Sequence, residues 1–259
     1  MSRRIPVWMR ACAAGAYVFL YAPLAVVVVF SFNDSRLNAQ WVGFTTAWYV
    51  KLARNEAMLV AARNSLVIAL LAALAATVLG TMAGFVMHRY RTRVLPVLVL
   101  APIAIPEILM GVALLMFFVL INLTLGLVSI TLAHIAFCIG YVAIVVRARL
   151  AGMDESLVEA ARDCGASALD AFRYVTLPLI MPGVIAGALM AFTLSIDDFV
   201  ITFFTAGATA STLPLQIYSM VKIAVTPEVN AVSTLLLLLT LALITAATKI
   251  VPGLLRLNR

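Results

Sequence analysis

Charge is scarce in this sequence: Lys, Arg, Asp and Glu together make up 11% of 259 residues, against 64% hydrophobic. At a mean hydropathy of +1.12 that balance excludes a water-exposed globular fold, because too little polar surface remains to cover the apolar residues. Only three cysteines occur, Cys12, Cys138 and Cys164, at spacings that suit neither a zinc site nor a disulfide framework, so all three are expected to be packing residues. No G-x-x-x-x-G-K-S/T loop is present, which leaves the chain without a phosphate cradle for ATP. Absence of Gly/Ser-rich linkers, low-complexity tracts and visible repeats makes residues 1–259 a single expected domain.

Long apolar runs are what the sequence has instead. A helix needs about 20 apolar residues to cross a hydrocarbon core. That length recurs at Ala11 to Phe30, Ser65 to Met87, Val94 to Leu120, Leu127 to Val146, Gly183 to Thr205 and Val229 to Ile250. The expected fold is therefore all-α and integral to a lipid bilayer, with six transmembrane helices. The net charge of +7 then reports topology and not nucleic-acid binding. The first run follows Arg3, Arg4 and Arg10; it is too long for a signal peptide, lacks a small-residue cleavage site, and is expected to be a retained anchor. With both termini in the cytoplasm, the outside holds only Arg36, Lys51, Arg54, Arg63 and Lys222, and every other Lys and Arg lies inside. The same orientation places an amphipathic stretch, about 147–182, in the cytoplasm.

Three carboxylates interrupt the apolar runs. Pro102 and Pro106 break the third run, where a bend near mid-membrane is expected, and Glu107 follows directly. Asp197 and Asp198 stand in the fifth. No Arg or Lys lies in the interior of any run to neutralise them, so these acids ask for a cation. Adjacent helical residues diverge by about 100°. One of Asp197 and Asp198 is thus expected to line a pathway while the other meets a neighbouring helix or a backbone donor. The competing reading has all three acids paired with buried polar groups and never meeting a substrate.

The cytoplasmic stretch carries an ordered string: Glu159-Ala160-Ala161, then Gly165, then Val175, Leu177 and Pro178. It reads as a short helix, a break at a glycine that permits a turn, and a second helical start in which Pro178 and Pro182 suit the first turn. Ala160 and Ala161 allow close approach by a partner, and Leu157, Leu169 and Phe172 offer apolar contacts. Periodicity alone also fits an amphipathic connector lying at the membrane interface. The ordered string resembles the EAA loop of ABC-importer permeases, with Val175 where isoleucine is usual. The resemblance implies a type I six-span core. It makes Glu159, Ala160, Ala161, Gly165, Leu177 and Pro178 the coupling segment that docks on an ATPase subunit dimer. ATP and Mg would be bound by that ATPase, with no cofactor on this chain.

Further strings, Ser195-Ile196-Asp197-Asp198-Phe199-Val200, Thr212-Leu213-Pro214-Leu215, Ile217-Tyr218-Ser219-Met220 and Thr226-Pro227-Glu228-Val229-Asn230-Ala231, resemble the polyamine branch of these permeases. Gly43 to Tyr49 and Tyr90-Arg91 agree more weakly. The branch implies import of spermidine and putrescine across a bacterial inner membrane, a second permease, and a periplasmic polyamine-binding protein docking on the outer segments. Glu107, Asp197, Asp198 and Tyr218 become the candidate substrate pathway, with Tyr218 offering a ring face to an ammonium group. The resemblance favours Asp197 over Asp198 as the acid facing substrate. Glu107 departs from the branch, which has aspartate there. An importer for another solute would keep the cytoplasmic loop; an anion pathway would want basic groups at mid-membrane. A proton-coupled transporter or channel leaves the loop without a purpose, and an intramembrane aspartyl hydrolase needs facing acids, which neighbours on one helix are not.

Overall fold

The structure, a computed structural model, describes residues 6–35, 40–90, 93–223 and 226–250, with no side chains for 243, 244 and 246–250. Arg3, Arg4, Arg36, Arg91, Arg256 and Arg259 of the charge count, and both chain ends, lie outside the described residues. The fold is helical and divides into two compact units, one of the chain to Leu59 with Gln216–Leu241, the other of Val60–Leu215 with the chain from Ala242.

In the first unit α1 (Val7–Phe30) is an apolar helix that buries none of its residues, as suits a helix solvated by lipid. Beyond it Asn33 organises a small turn. Its amide donates to Gln40 O and accepts from Val42 N–H, each at 2.8 Å, while its carbonyl accepts from Trp48 Nε1 at 2.9 Å. This holds α2 (Ala47–Ala53), from which Lys51 reaches Glu228 at 2.6 Å.

The second unit is built around one helix. From α3 (Glu56–Arg89) the chain passes through α4 (Val94–Ala104) and α5 (Glu107–Leu120) to α6 (Leu127–Ala151), which is buried along much of its length. Small residues let its neighbours close in. A Cβ on Gly80 of α3 would lie 2.6 Å from Val142 Cβ, one on Gly84 2.8 Å from Ala143 O, and one on Gly140 2.7 Å from Val99 O of α4. After α7 (Ser156–Asp163) and α8 (Ala168–Ala171), a π-turn at Phe172–Thr176 runs into α9 (Leu177–Asp197). On α9, Gly183 and Gly187 abut Arg149 and Val142 of α6. Two Gly-x-x-x-Gly faces thus grip α6 from α3 and α9, the small-residue packing that substitutes for hydrophobic drive inside a bilayer. Next come α10 (Val200–Thr205), packed on α5 and α6, then α11 (Leu213–Ile223) and α12 (Pro227–Ile250).

Some expectations hold and others are corrected. Among the described residues four helices are long and apolar enough to cross a membrane, or five when α4 and α5 count as one broken span, beside the six runs expected. The described apolar part of α12 is only Pro227–Ala242. The bend expected in the third run is present, at 109° between α4 and α5. The fifth run, Gly183 to Thr205, is not one helix, because α9 ends at Asp197; the continuous helix is Ala168–Asp197, 30 residues through the π-turn. Within 147–182, α6 persists to Ala151, α7 covers Ser156–Asp163 and helix resumes at Ala168. Of the cysteines only Cys138 is buried; Cys12 and Cys164 are exposed.

Candidate functional site

Both helix breaks in the second unit carry acids. Proline disfavours helix at the residue before it and lacks an N–H itself. Ile105 accordingly turns extended (φ −83°, ψ 132°), and Pro106 (φ −54°, ψ 132°) starts α5 with Glu107 exposed in its first turn. At the second break no proline acts. Asp198 leaves the helix at φ −63°, ψ 124° and caps α10: its Oδ2 accepts from Thr202 N–H at 2.8 Å and its Oδ1 from Ile201 N–H at 3.4 Å.

The acids meet helix ends of opposite sign. Glu107 and Asp198 stand at N-terminal ends, whose positive half-dipole each offsets. Asp197 closes α9, where free carbonyls already form a negative end, so its charge adds to the dipole and favours a cation. Asp197 is exposed, and the charges of Asp198 and Glu107 both lie within electrostatic reach of it.

Asp198 is otherwise engaged. His134 of α6, 2% exposed, places Nε2 at 3.2 Å from Asp198 Oδ2 and 2.9 Å from Thr202 Oγ1, and Nδ1 at 2.7 Å from Ser195 Oγ. Thr202 O–H also donates to Asp198 Oδ2 at 2.9 Å. A carboxylate only accepts, so Nε2 carries the hydrogen that faces Asp198, and Nδ1 can accept from Ser195. Every polar group in this buried cluster is satisfied. The divergence of Asp197 and Asp198 thus comes from a helix break pinned by α6, not from two faces of one helix.

The structure brings Glu107, Asp197 and Asp198 into one unit; Tyr218 lies on α11 with an exposed ring, at a position assigned to the other unit. The aromatic hydroxyl that feels the charge of Glu107 is Tyr141 of α6. Sequence reasoning missed His134, Ser195, Thr202 and Tyr141. A histidine in an otherwise apolar run was the one available signal. No group of three His, Cys, Asp or Glu among the described residues could hold a metal.

The string from Glu159 to Pro178 has the local form its residues dictate. Asp154 Oδ1 accepts from Ser156 N–H at 3.0 Å and starts α7, and bonds from Ser156 hold the Asp154 carboxyl below its ordinary value. Gly165, at φ +90°, ends α7: its N–H donates to Arg162 O at 2.9 Å and that of Ala166 to Ala161 O at 3.1 Å, the paired bonds of a Schellman end. Ser167 Oγ then caps α8 by accepting from Asp170 N–H at 3.2 Å. Glu159, Ala160 and Gly165 are exposed, as are Leu157 and Leu169. Phe172 is half-buried and packs edge-on against Phe85 at 5.1 Å. Pro178 lies at the start of α9, beside Leu177. A cavity of about 200 Å³ opens between the end of α3 and this loop, with Glu159, Arg162, Arg89 and His88 in its wall.

Over 234 residues the chain is 43% identical to the spermidine/putrescine transport system permease protein PotC of Escherichia coli K12, covering 89% of each. It is likewise 43% identical over 231 residues to the putrescine transport system permease protein PotI of the same strain, covering 85% of this chain and 82% of PotI. Among solved structures it is similar to a chain of a bacterial ABC transporter importing alginate (TM-score 0.73, 16% identity, 96% of both chains) and to one of the MetNI methionine ABC transporter (TM-score 0.67, 20% identity, 82% of this chain and all of that one). These two share the fold of ABC-importer permeases, the type I core implied by the resemblance. Residues 76–256 match the binding-protein-dependent transport system inner membrane component family. The chain is a multi-pass membrane protein and belongs to that family.

Proposed function

We propose that this chain is the permease subunit of an ATP-driven importer that carries spermidine or putrescine into the cytoplasm, using Asp197 and Glu107 as the acids its cargo meets. The observation that carries this reading is the placement of two exposed carboxylates at the two helix breaks of one unit, in a chain 43% identical to polyamine permeases. Broken helices expose backbone only where it lines a cavity or pathway, and acids at mid-membrane attract ammonium groups. In this reading the chain is one permease domain with six spans, α12 supplying the last, and both termini are cytoplasmic. It hydrolyses nothing itself. An ATPase dimer holding ATP and Mg docks on the loop of Glu159, Ala160, Ala161, Gly165, Leu177 and Pro178. A second permease completes the pathway and a periplasmic binding protein delivers polyamine to the outer segments, where Tyr218 adds a ring face.

Radiolabelled polyamine uptake, normalised to assembled complex in the membrane, tests the pathway. Removing one charge-assisted contact costs about 1.5–3 kcal/mol, so Asp197→Asn lowers uptake by roughly ten- to hundred-fold. Glu107→Asp is tolerated better than Glu107→Gln. Undiminished uptake in the Asp197→Asn, Glu107→Gln double variant overturns the reading.

A further inference from the structure

Resting on that reading, we propose that His134 is a positioning residue that withdraws the Asp198 carboxylate from the cation pathway and leaves Asp197 as the acid presented at the α9 break. Two adjacent acids at a break would offer the cargo two charges, unless one is held elsewhere. Asp198 is held: its side chain is 6% exposed, and Oδ2 meets Thr202 N–H, Thr202 O–H and His134 Nε2 within 3.2 Å. The first two donors belong to α10 itself and would travel with Asp198 if that short helix moved. Of the three donors at Oδ2, His134 alone comes from a different helix. Its ring bridges the break, with Nδ1 on Ser195 before it and Nε2 on Thr202 and Asp198 after it. The ring therefore fixes both how the chain leaves α9 and where the second carboxylate points. Polar side chains in a bilayer interior persist where they are satisfied, and this one is satisfied at both nitrogens.

Two substitutions divide the ring's contacts. An asparagine amide reaches roughly where Nδ1 stands, so His134→Asn keeps the Ser195 side and releases Asp198; a glutamine amide reaches roughly where Nε2 stands, so His134→Gln keeps Asp198 and releases Ser195. Both are made in the Asp197→Asn background and read as polyamine uptake per assembled complex. Adding His134→Asn is expected to raise uptake above Asp197→Asn alone, because Asp198 becomes the charge presented to the cargo. Adding His134→Gln is expected to raise nothing, and Asp198→Asn on top of the recovered variant abolishes the gain. A merely structural histidine would make both double variants equal to or worse than Asp197→Asn, and that result overturns the role of His134. Undiminished uptake in Asp197→Asn alone overturns the pathway reading itself, and this inference with it.

Discussion

Gly165→Ala isolates one physical quantity. Gly165 sits at φ +90°, and a Cβ built there meets nothing within 4 Å, so the substitution creates no clash with any neighbour. Its whole cost is the backbone conformation, about 1–2 kcal/mol for a residue with a side chain forced left-handed. That shifts the closed end of α7 against its open forms by a factor of roughly 5–30. Closure is visible in the Gly165 N–H bond to Arg162 O and the Ala166 N–H bond to Ala161 O. Hydrogen exchange at these two amides should accelerate by the same factor, with the spans undisturbed. In proteoliposomes containing the whole importer, polyamine accumulated per ATP should fall, since the loop that docks is no longer held in one shape. Gly165→Asn should lose less, because asparagine tolerates left-handed backbone. Unchanged exchange and unchanged coupling in Gly165→Ala would refute the argument that this turn sets the shape of the docking segment.

Gly80→Ala places a Cβ 2.6 Å from Val142 Cβ and 2.9 Å from Ile139 O, and the backbone oxygen cannot be trimmed away. The expected cost is about 1–3 kcal/mol, seen as a lower thermal transition in detergent, whereas Gly15→Ala, with nothing within 4 Å, should leave it unmoved. Lys51→Met strands Glu228, whose side chain is 9% exposed, without its 2.6 Å partner. A loss of about 1–3 kcal/mol is expected, toward the lower end because Lys51 is 60% exposed. Adding Glu228→Gln should recover part of it in the same melts, and an additive double variant would show that the pair is not coupled.

Local chemistry was legible in the sequence wherever one residue decides the backbone. Pro106 announced the break before Glu107, and Gly165 announced the end of α7, because each acts within its own turn. The second break was not legible. Ser195 to Val200 contains neither proline nor glycine, and what bends the chain there is an acid capping α10 and a histidine 64 residues earlier. Apolar length misplaced the ends of spans because a helix continues past its lipid-facing part. Thus α3 begins at Glu56, before polar Arg63 and Asn64. Gly80 with Gly84 and Gly183 with Gly187 stood in plain view at four-residue spacing, but which helix they would meet depends on packing that no local pattern specifies.

The unbroken helix from Ala168 to Asp197 makes the loop after α7 and the break at Asp197 two ends of one rod. At 1.5 Å per residue it is about 45 Å long. α6 lies along it from Leu179, whose carbonyl Arg149 meets, through Gly183, Gly187 and Ala191 to Ser195, which His134 meets. The seam holds the Asp197 end of the rod against α6, and the first part, Ala168–Pro178, extends roughly 16 Å beyond it toward the loop. Gly183 and Gly187 keep that seam close at its middle, and the π-turn at Phe172–Thr176 falls in the part of the rod beyond it, next to the loop.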